Sequence, residues 1–203
     1  MWHLSDVSVC MAQWRNHAET AATKSSLPSE VEVSVCDDES ETRGFALNPC
    51  VPLNAAVNAS SRPVVVLTNP GALVTAEHLE KMLAEIDDDT YVAAACRSED
   101  GRWLCHSTVR GGEHGRGPMP EGSGFHFLAV LTRDLWDKAG GFDEDYREGQ
   151  AYEDNDFLWR LQRAGAKFKI LDDVVINHTR STTVWPTGGL ERNRELFRQK
   201  WGK

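Results

Sequence analysis

Three short apolar runs in the first third of the chain, VSVCMA at 7–12, VEVSVC at 31–36 and PVVVL at 63–67, constrain the fold more than any other feature. Valine-rich runs of this length, bounded by turn residues, read as strands. Between the first two lies a polar helical stretch from Asn16 to Lys24, closed by Ser25-Ser26-Leu27-Pro28. Strand, helix, strand is the beginning of an open α/β sheet. Ligands of such sheets bind in the crevice beyond the strands' carboxyl ends. Asp37 and Asp38 follow the second strand. They are either a solvated turn, which Asp favours, or one side of a site.

The rest of the chain continues the alternation. Residues 48–60 are rich in Ala and Asn and read as helical after Pro52. Thr75 caps a helix whose Leu79, Met82, Leu83 and Ile86 form one apolar stripe, a packing face. A strand is predicted at 91–96, another at 125–132, and a short helix at 133–139. The stretch from Ser98 to Gly124, with its GGEHGRG, lacks periodicity, and long loops of this kind are often lids. Its His106 and His114 read as solvated. Two short strands at 168–171 and 174–178 are separated by an Asp172-Asp173 turn, and a charged helix at 189–202 rests on Leu196, Phe197 and Trp201. With no internal repeat and no boundary, 1–203 reads as a single α/β domain.

Charge narrows the partners. Lys and Arg total 22 against 31 Asp and Glu, a net charge of -9, which argues against a nucleic-acid backbone or an anionic membrane. Five cysteines without CxxC spacing suggest neither a disulfide framework nor a zinc knuckle, and Cys10 and Cys36 read as small buried hydrophobes. No run approaches the roughly 20 apolar residues of a membrane span, and the start does not resemble a signal peptide. A cytoplasmic protein is expected.

The densest chemistry lies in GGFDEDYREGQAYEDNDFLWRLQRAG, residues 140–165. Phe157, Leu161 and Ala164 share one helical face with Leu158 beside them, which puts Glu153, Asp154 and Asp156 on the first turn of a helix ended by Gly165. Carboxylates there cap the helix and complement its dipole, or serve as a base aimed into a cleft.

That segment, the later strand ending Ile176-Asn177-His178 and the closing ERNRELFRQKWG together resemble family-2 glycosyltransferases of the GT-A fold. The amino-terminal order of strand, helix and strand ending in Asp37-Asp38 agrees, so the resemblance covers nearly the whole chain. It implies a single GT-A, Rossmann-like domain with a mixed, mostly parallel sheet, its nucleotide-binding half at about 1–97 and its acceptor and catalytic half at about 98–203. It implies an inverting transfer from a UDP- or dTDP-sugar to a hydroxyl on a glycan, protein or small molecule. A hexosyl or deoxyhexosyl group is moved, with Asp154 as general base and Glu153 shaping the acceptor side. Asp38 would reach the nucleobase and Asp37 support the turn, while Ala12 and Trp14 lie where the family contacts base or ribose. Trp14 either stacks on that ring or packs at the strand end.

The family's metal-binding Asp-x-Asp element is expected after the 63–67 strand, where this chain reads Asn69-Pro70-Gly71. Gly71 thus replaces the last carboxylate of a Mn²⁺ or Mg²⁺ site, cations that take oxygen ligands. The resemblance assigns His178 and Asn69 to a metal or to the diphosphate, and Arg180 to countercharge. A homodimer is left open. Two other readings stand beside transfer: a nucleotidyltransferase, which would want a Gly-rich loop after the first strand where this chain has Gln13-Trp14-Arg15-Asn16, and a non-catalytic nucleotide-sugar or glycan-binding relic, supported by Gly71.

Overall fold

The computed structural model describes residues 1–38, 48–106, 126–179 and 189–202. In chain order the elements are β1 (Val7–Gln13), α1 (His17–Ser26), β2 (Glu32–Asp37), α2 (Cys50–Ala59), β3 (Val64–Thr68), β4 (Ala72–Leu73), α3 (Ala76–Leu83), β5 (Thr90–Ser98) and β6 (Trp103–Cys105). They continue with β7 (Leu128–Thr132), α4 (Arg133–Ala139), α5 (Glu153–Arg163), β8 (Lys167–His178) and α6 (Gly189–Trp201). The strands form one mixed sheet in the order β2-β1-β3-β7-β5-β8-β4, with β6 on β5. β1, β2, β3, β5 and β8 run one way, while β4, β6 and β7 oppose them. This is the mostly parallel α/β sheet that the valine runs predict.

Both faces of the sheet are covered, which explains why the central strands are continuously apolar rather than alternating. Along β3, Val64 and Val66 join a cluster with Leu79 and Met82 of α3. Val65 and Leu67 point the other way, into Leu53 of α2, Leu135 and Trp136 of α4, and Phe157 and Leu161 of α5. The apolar stripes of α3 and α5 are therefore core, as their spacing predicts.

Three sequence expectations change. The two short strands at 168–171 and 174–178 are one strand, β8, whose register against β5 jumps from Ala94 opposite Leu171 to Ala95 opposite Val175. The Asp172-Asp173 pair is a bulge in that strand rather than a turn between two. Part of the stretch from Ser98 is structured: β6 returns antiparallel to β5 through a turn closed by Ser98 N–H to Arg102 O at 2.9 Å and Gly101 N–H to Ser98 O at 2.8 Å. β7 begins at Leu128, after a turn at His126-Phe127. The remainder of that stretch, including His114, and also Arg180 and Trp185, lie outside the described residues.

Candidate active site

The carboxyl edge of the sheet gathers most of the predicted residues into two groups. In the first, β1 and β2 pair so that Gln13 lies opposite Asp37. Gln13 Nε2 donates to Asp37 Oδ1 at 2.5 Å, and Asp38 N–H donates to Gln13 O at 2.7 Å. The acidic pair is thereby fixed beside the β1 loop, with Ala12 one residue inside the strand. Trp14 is half-buried, with the Arg15 guanidinium 4.9 Å from its ring centroid, so any stacking partner uses the other ring face. Arg15 holds a left-handed backbone at φ 53° with no glycine in the turn.

The end of β8 meets the loop after β3. Ala72 pairs with His178. Gly71 N–H donates to Thr23 Oγ1 at 2.9 Å, and Gly71 O accepts from Thr179 N–H at 2.9 Å. The His178 ring stands edge-on to Phe127 at 5.3 Å, and burial holds its pKa below the ordinary value, so its imidazole is neutral at pH 7. The loop at Gly71 and the strand end at His178-Thr179 thus lie side by side. The residues nevertheless do not fit a carboxylate-held cation. Gly71 has φ +92°, and a Cβ built there would lie 2.5 Å from Thr179 Oγ1. The position lacks the acid, and a side chain there would require Thr179 to shift. Among the described residues no three His, Cys, Asp or Glu side chains converge to hold a metal.

The second group surrounds the start of α5. α2 carries the chain from the carboxyl end of β2 back to the start of β3, so Asn48, just before it, lies at the carboxyl edge. Asn48 Nδ2 donates to Glu153 Oε2 at 2.5 Å, which ties the α5 start to that edge. Two consecutive non-glycine residues, Ala151 and Tyr152, adopt left-handed backbone at φ 59° and 71° immediately before Glu153. Such conformations cost of order 1–3 kcal/mol each and persist only where surrounding contacts impose them. Those contacts are visible. Fully buried Asn193 of α6 donates to Tyr146 O at 2.9 Å and Ala151 O at 2.8 Å, and Arg194 Nε donates to Tyr152 Oη at 3.1 Å.

The three acids of α5 separate by environment. Asp154 is half-buried, and its Oδ1 accepts the Asn155 N–H at 2.8 Å, so it complements the helix start without being the N-cap, which is Tyr152. Asp156 does not cap the helix either. It is 1% exposed and accepts from Trp201 Nε1 at 2.8 Å and Tyr146 Oη at 3.3 Å, pinning the closing helix to α5. Glu153 is buried, and that burial, with the charge of Asp154 added, pushes its pKa up to about 8. At neutral pH Glu153 is mostly protonated.

This has a consequence for stability. From about pH 4.5 to about 8 the folded chain keeps a proton on Glu153 that the unfolded chain has released. Stability therefore falls as pH rises through that window, by at most about 1.4 kcal/mol per pH unit for one proton. Glu153→Gln is expected to flatten this slope in thermal unfolding followed across the window. An unchanged slope would mean that another group carries the proton.

No family model matches the sequence, and no curated protein does. Solved structures match the fold. PcManGT, a mannosyltransferase from Pyrobaculum calidifontis in complex with GDP-Man and Mn2+, aligns with a TM-score of 0.63 at 18% identity, over 87% of this chain and 57% of that one. TarS 1-349 of S. aureus in complex with UDP aligns with a TM-score of 0.64 at 17% identity, over 86% of this chain and 60% of that one. The chain has the fold of these glycosyltransferases. It spans 57–60% of the length of the two solved chains. Within this glycosyltransferase fold, Asn48 and Asn193 are the residues that sequence reading misses. Each is an isolated amide far in sequence from α5, and only the folded contacts reveal it. No helix among the described residues is long and apolar enough to cross a membrane.

Proposed function

We propose that the chain transfers a sugar from a nucleoside-diphosphate sugar of UDP or dTDP type to an acceptor hydroxyl, with inversion and with Asp154 as general base. The observation that carries this reading is the Asn48–Glu153 contact at the carboxyl edge. It holds the first turn of α5 at the crevice where α/β sheets bind ligands, with Glu153 protonated beside Asp154, which we assign as the base. The two glycosyltransferases of like fold, solved with GDP-Man and with UDP, support the choice of donor class.

In this mechanism Asp154 takes the acceptor hydroxyl's proton as that oxygen attacks the anomeric carbon. The nucleoside diphosphate leaves from the opposite face. Asp37 and Asp38 hold the base, and Ala12 and Trp14 the base or ribose. Asn69, the Gly71 backbone and neutral His178 lie at the diphosphate. Arg180, two residues after His178 in sequence, supplies countercharge. Positioned charges of this kind contribute a few kcal/mol each to the transition state. No step is routed through a divalent cation, because position 71 lacks the carboxylate that would hold it.

A panel of UDP-, dTDP- and GDP-sugars, each with Mn²⁺ or EDTA, tests donor binding by thermal shift. A donor at about 100-fold above its Kd adds about 2.7 kcal/mol of stability, on the order of 5–10 °C in Tm for a chain of this size. The expected result is that at least one donor raises Tm and that the rise survives EDTA. If none shifts Tm, the proposal fails. A donor that binds but is never transferred favours the binding relic, for which Gly71 is the supporting observation.

A further inference from the structure

α5 begins without the side chain that ordinarily starts a helix. Its N-cap is Tyr152, which makes no side-chain cap bond, whereas Ser, Thr, Asp or Asn at such a position would satisfy one of the first free N–H groups. The start is fixed from outside instead. Tyr152 O accepts the first helical bond, from Asp156 N–H at 2.9 Å, so the setting of the 151–152 backbone aims the turn that carries Asp154. That backbone is left-handed at two successive non-glycine residues, a setting that relaxes unless contacts impose it.

Asn193 of α6 imposes it. Its side chain is wholly buried, and both N–H groups of its amide are used, on Tyr146 O at 2.9 Å and Ala151 O at 2.8 Å, while Oδ1 accepts from Arg192 Nη1 at 2.9 Å. One amide therefore ties together the two ends of the loop that leads into α5. The loop lies directly on α6: a Cβ at Gly149 would collide with Asn193 Oδ1, and one at Gly189 would stand 2.9 Å from Gln150 N. On the same face of α6, Arg194 holds the Tyr152 hydroxyl and the Phe197 ring lies 5.5 Å from that of Tyr152. From the other side Asn48 Nδ2 reaches the same Ala151 carbonyl at 3.3 Å, so both lone pairs of that oxygen are taken.

We propose that Asn193 is a positioning residue for the transfer reaction. By clamping Ala151 O to α6 it holds Asp154 where that carboxylate takes the acceptor's proton. The inference rests on the reading of Asp154 as general base. Being wholly buried, Asn193 meets neither donor nor acceptor and acts through the 151–152 backbone.

A double-variant cycle tests this, with hydrolysis of UDP-glucose and dTDP-glucose by water as the assay, read as nucleotide release, and with UDP and dTDP affinities from isothermal titration. Asn193→Ala is expected to lower kcat about 10²-fold, the loss that a displacement of about 1 Å at a reacting group brings, with nucleotide affinity unchanged. In an Asp154→Asn chain the same change should cost nothing further, because the group it positions is gone. Ala151→Gly, which takes left-handed backbone without strain, should recover about tenfold of the Asn193→Ala loss. If Asn193→Ala does not fold, Tyr152→Phe carries the cycle. It keeps the ring and removes only the Arg194 bond, for an expected loss of about fivefold that likewise vanishes beside Asp154→Asn. Wild-type kcat in the Asn193→Ala chain, or an equal loss with and without the Asp154 carboxylate, overturns the positioning role and leaves Asp154 as base. An Asp154→Asn chain that hydrolyses either donor as wild type does, or a wild-type chain that releases neither nucleotide, overturns the transfer reading and this inference with it.

Discussion

Asp154→Asn is expected to lower sugar transfer by about 10²–10⁴-fold, the range that general-base catalysis contributes, while the donor binds with unchanged Kd. The asymmetry follows from position. Asp154 sits in the first turn of α5, whereas the residues assigned to the nucleotide lie on β1, β2 and the loop after β3. The substitution removes the proton acceptor and keeps the shape, so the fold is retained. Loss of donor affinity in parallel with turnover would move Asp154 from base to donor contact. Retained turnover would remove it from the mechanism.

The largest effect on stability is expected at Gly71. Gly71→Asp would place at position 71 the acid that the family-2 resemblance implies there, yet its backbone has φ +92° and its Cβ would stand 2.5 Å from Thr179 Oγ1 and 3.2 Å from Thr179 O. Left-handed backbone costs a non-glycine residue about 1–2 kcal/mol, and overpacking adds about 1–3 kcal/mol. A total of about 2–5 kcal/mol corresponds to a fall in Tm on the order of 5–20 °C for a chain of this size. Thr179→Ala in the same chain should recover the part due to the Oγ1 contact and leave the backbone strain and the tight contact with Thr179 O. Calorimetric melts of the single and double variants measure both. A Gly71→Asp chain as stable as wild type, and newly responsive to Mn²⁺, would show that the loop rearranges readily into a metal site.

How far sequence alone leads depends on the range of the interactions concerned. The valine runs of β1 and β3 are legible because both sheet faces are covered and the strands are buried along nearly their whole length. The stripes of α3 and α5 are legible from helical spacing. β4 and β6 are not, since strands of two and three residues carry no period of their own and exist through pairing with β8 and β5. The bulge at Asp172-Asp173 reads as a break because adjacent acids usually mark turns. At the site, the acidic cluster announces chemistry, but its internal division does not follow from sequence. Glu153 and Asp154 are neighbours of like type, and only Asn48 and burial tell them apart. Asp156 looks like a helix cap and instead holds Trp201, a contact 45 residues away. The strained entry at Ala151-Tyr152 gives no sequence signal, since neither residue is glycine.

Asp154 is proposed to activate an oxygen nucleophile for displacement with inversion. Proton NMR of the bound donor's slow hydrolysis tests it directly, with water taking the acceptor's place and the anomeric proton of the first sugar released being read before mutarotation. An α-linked donor is predicted to give the β sugar first, at a rate that Asp154→Asn suppresses. Release of the α sugar from that donor, or release unaffected by the substitution, would contradict the account.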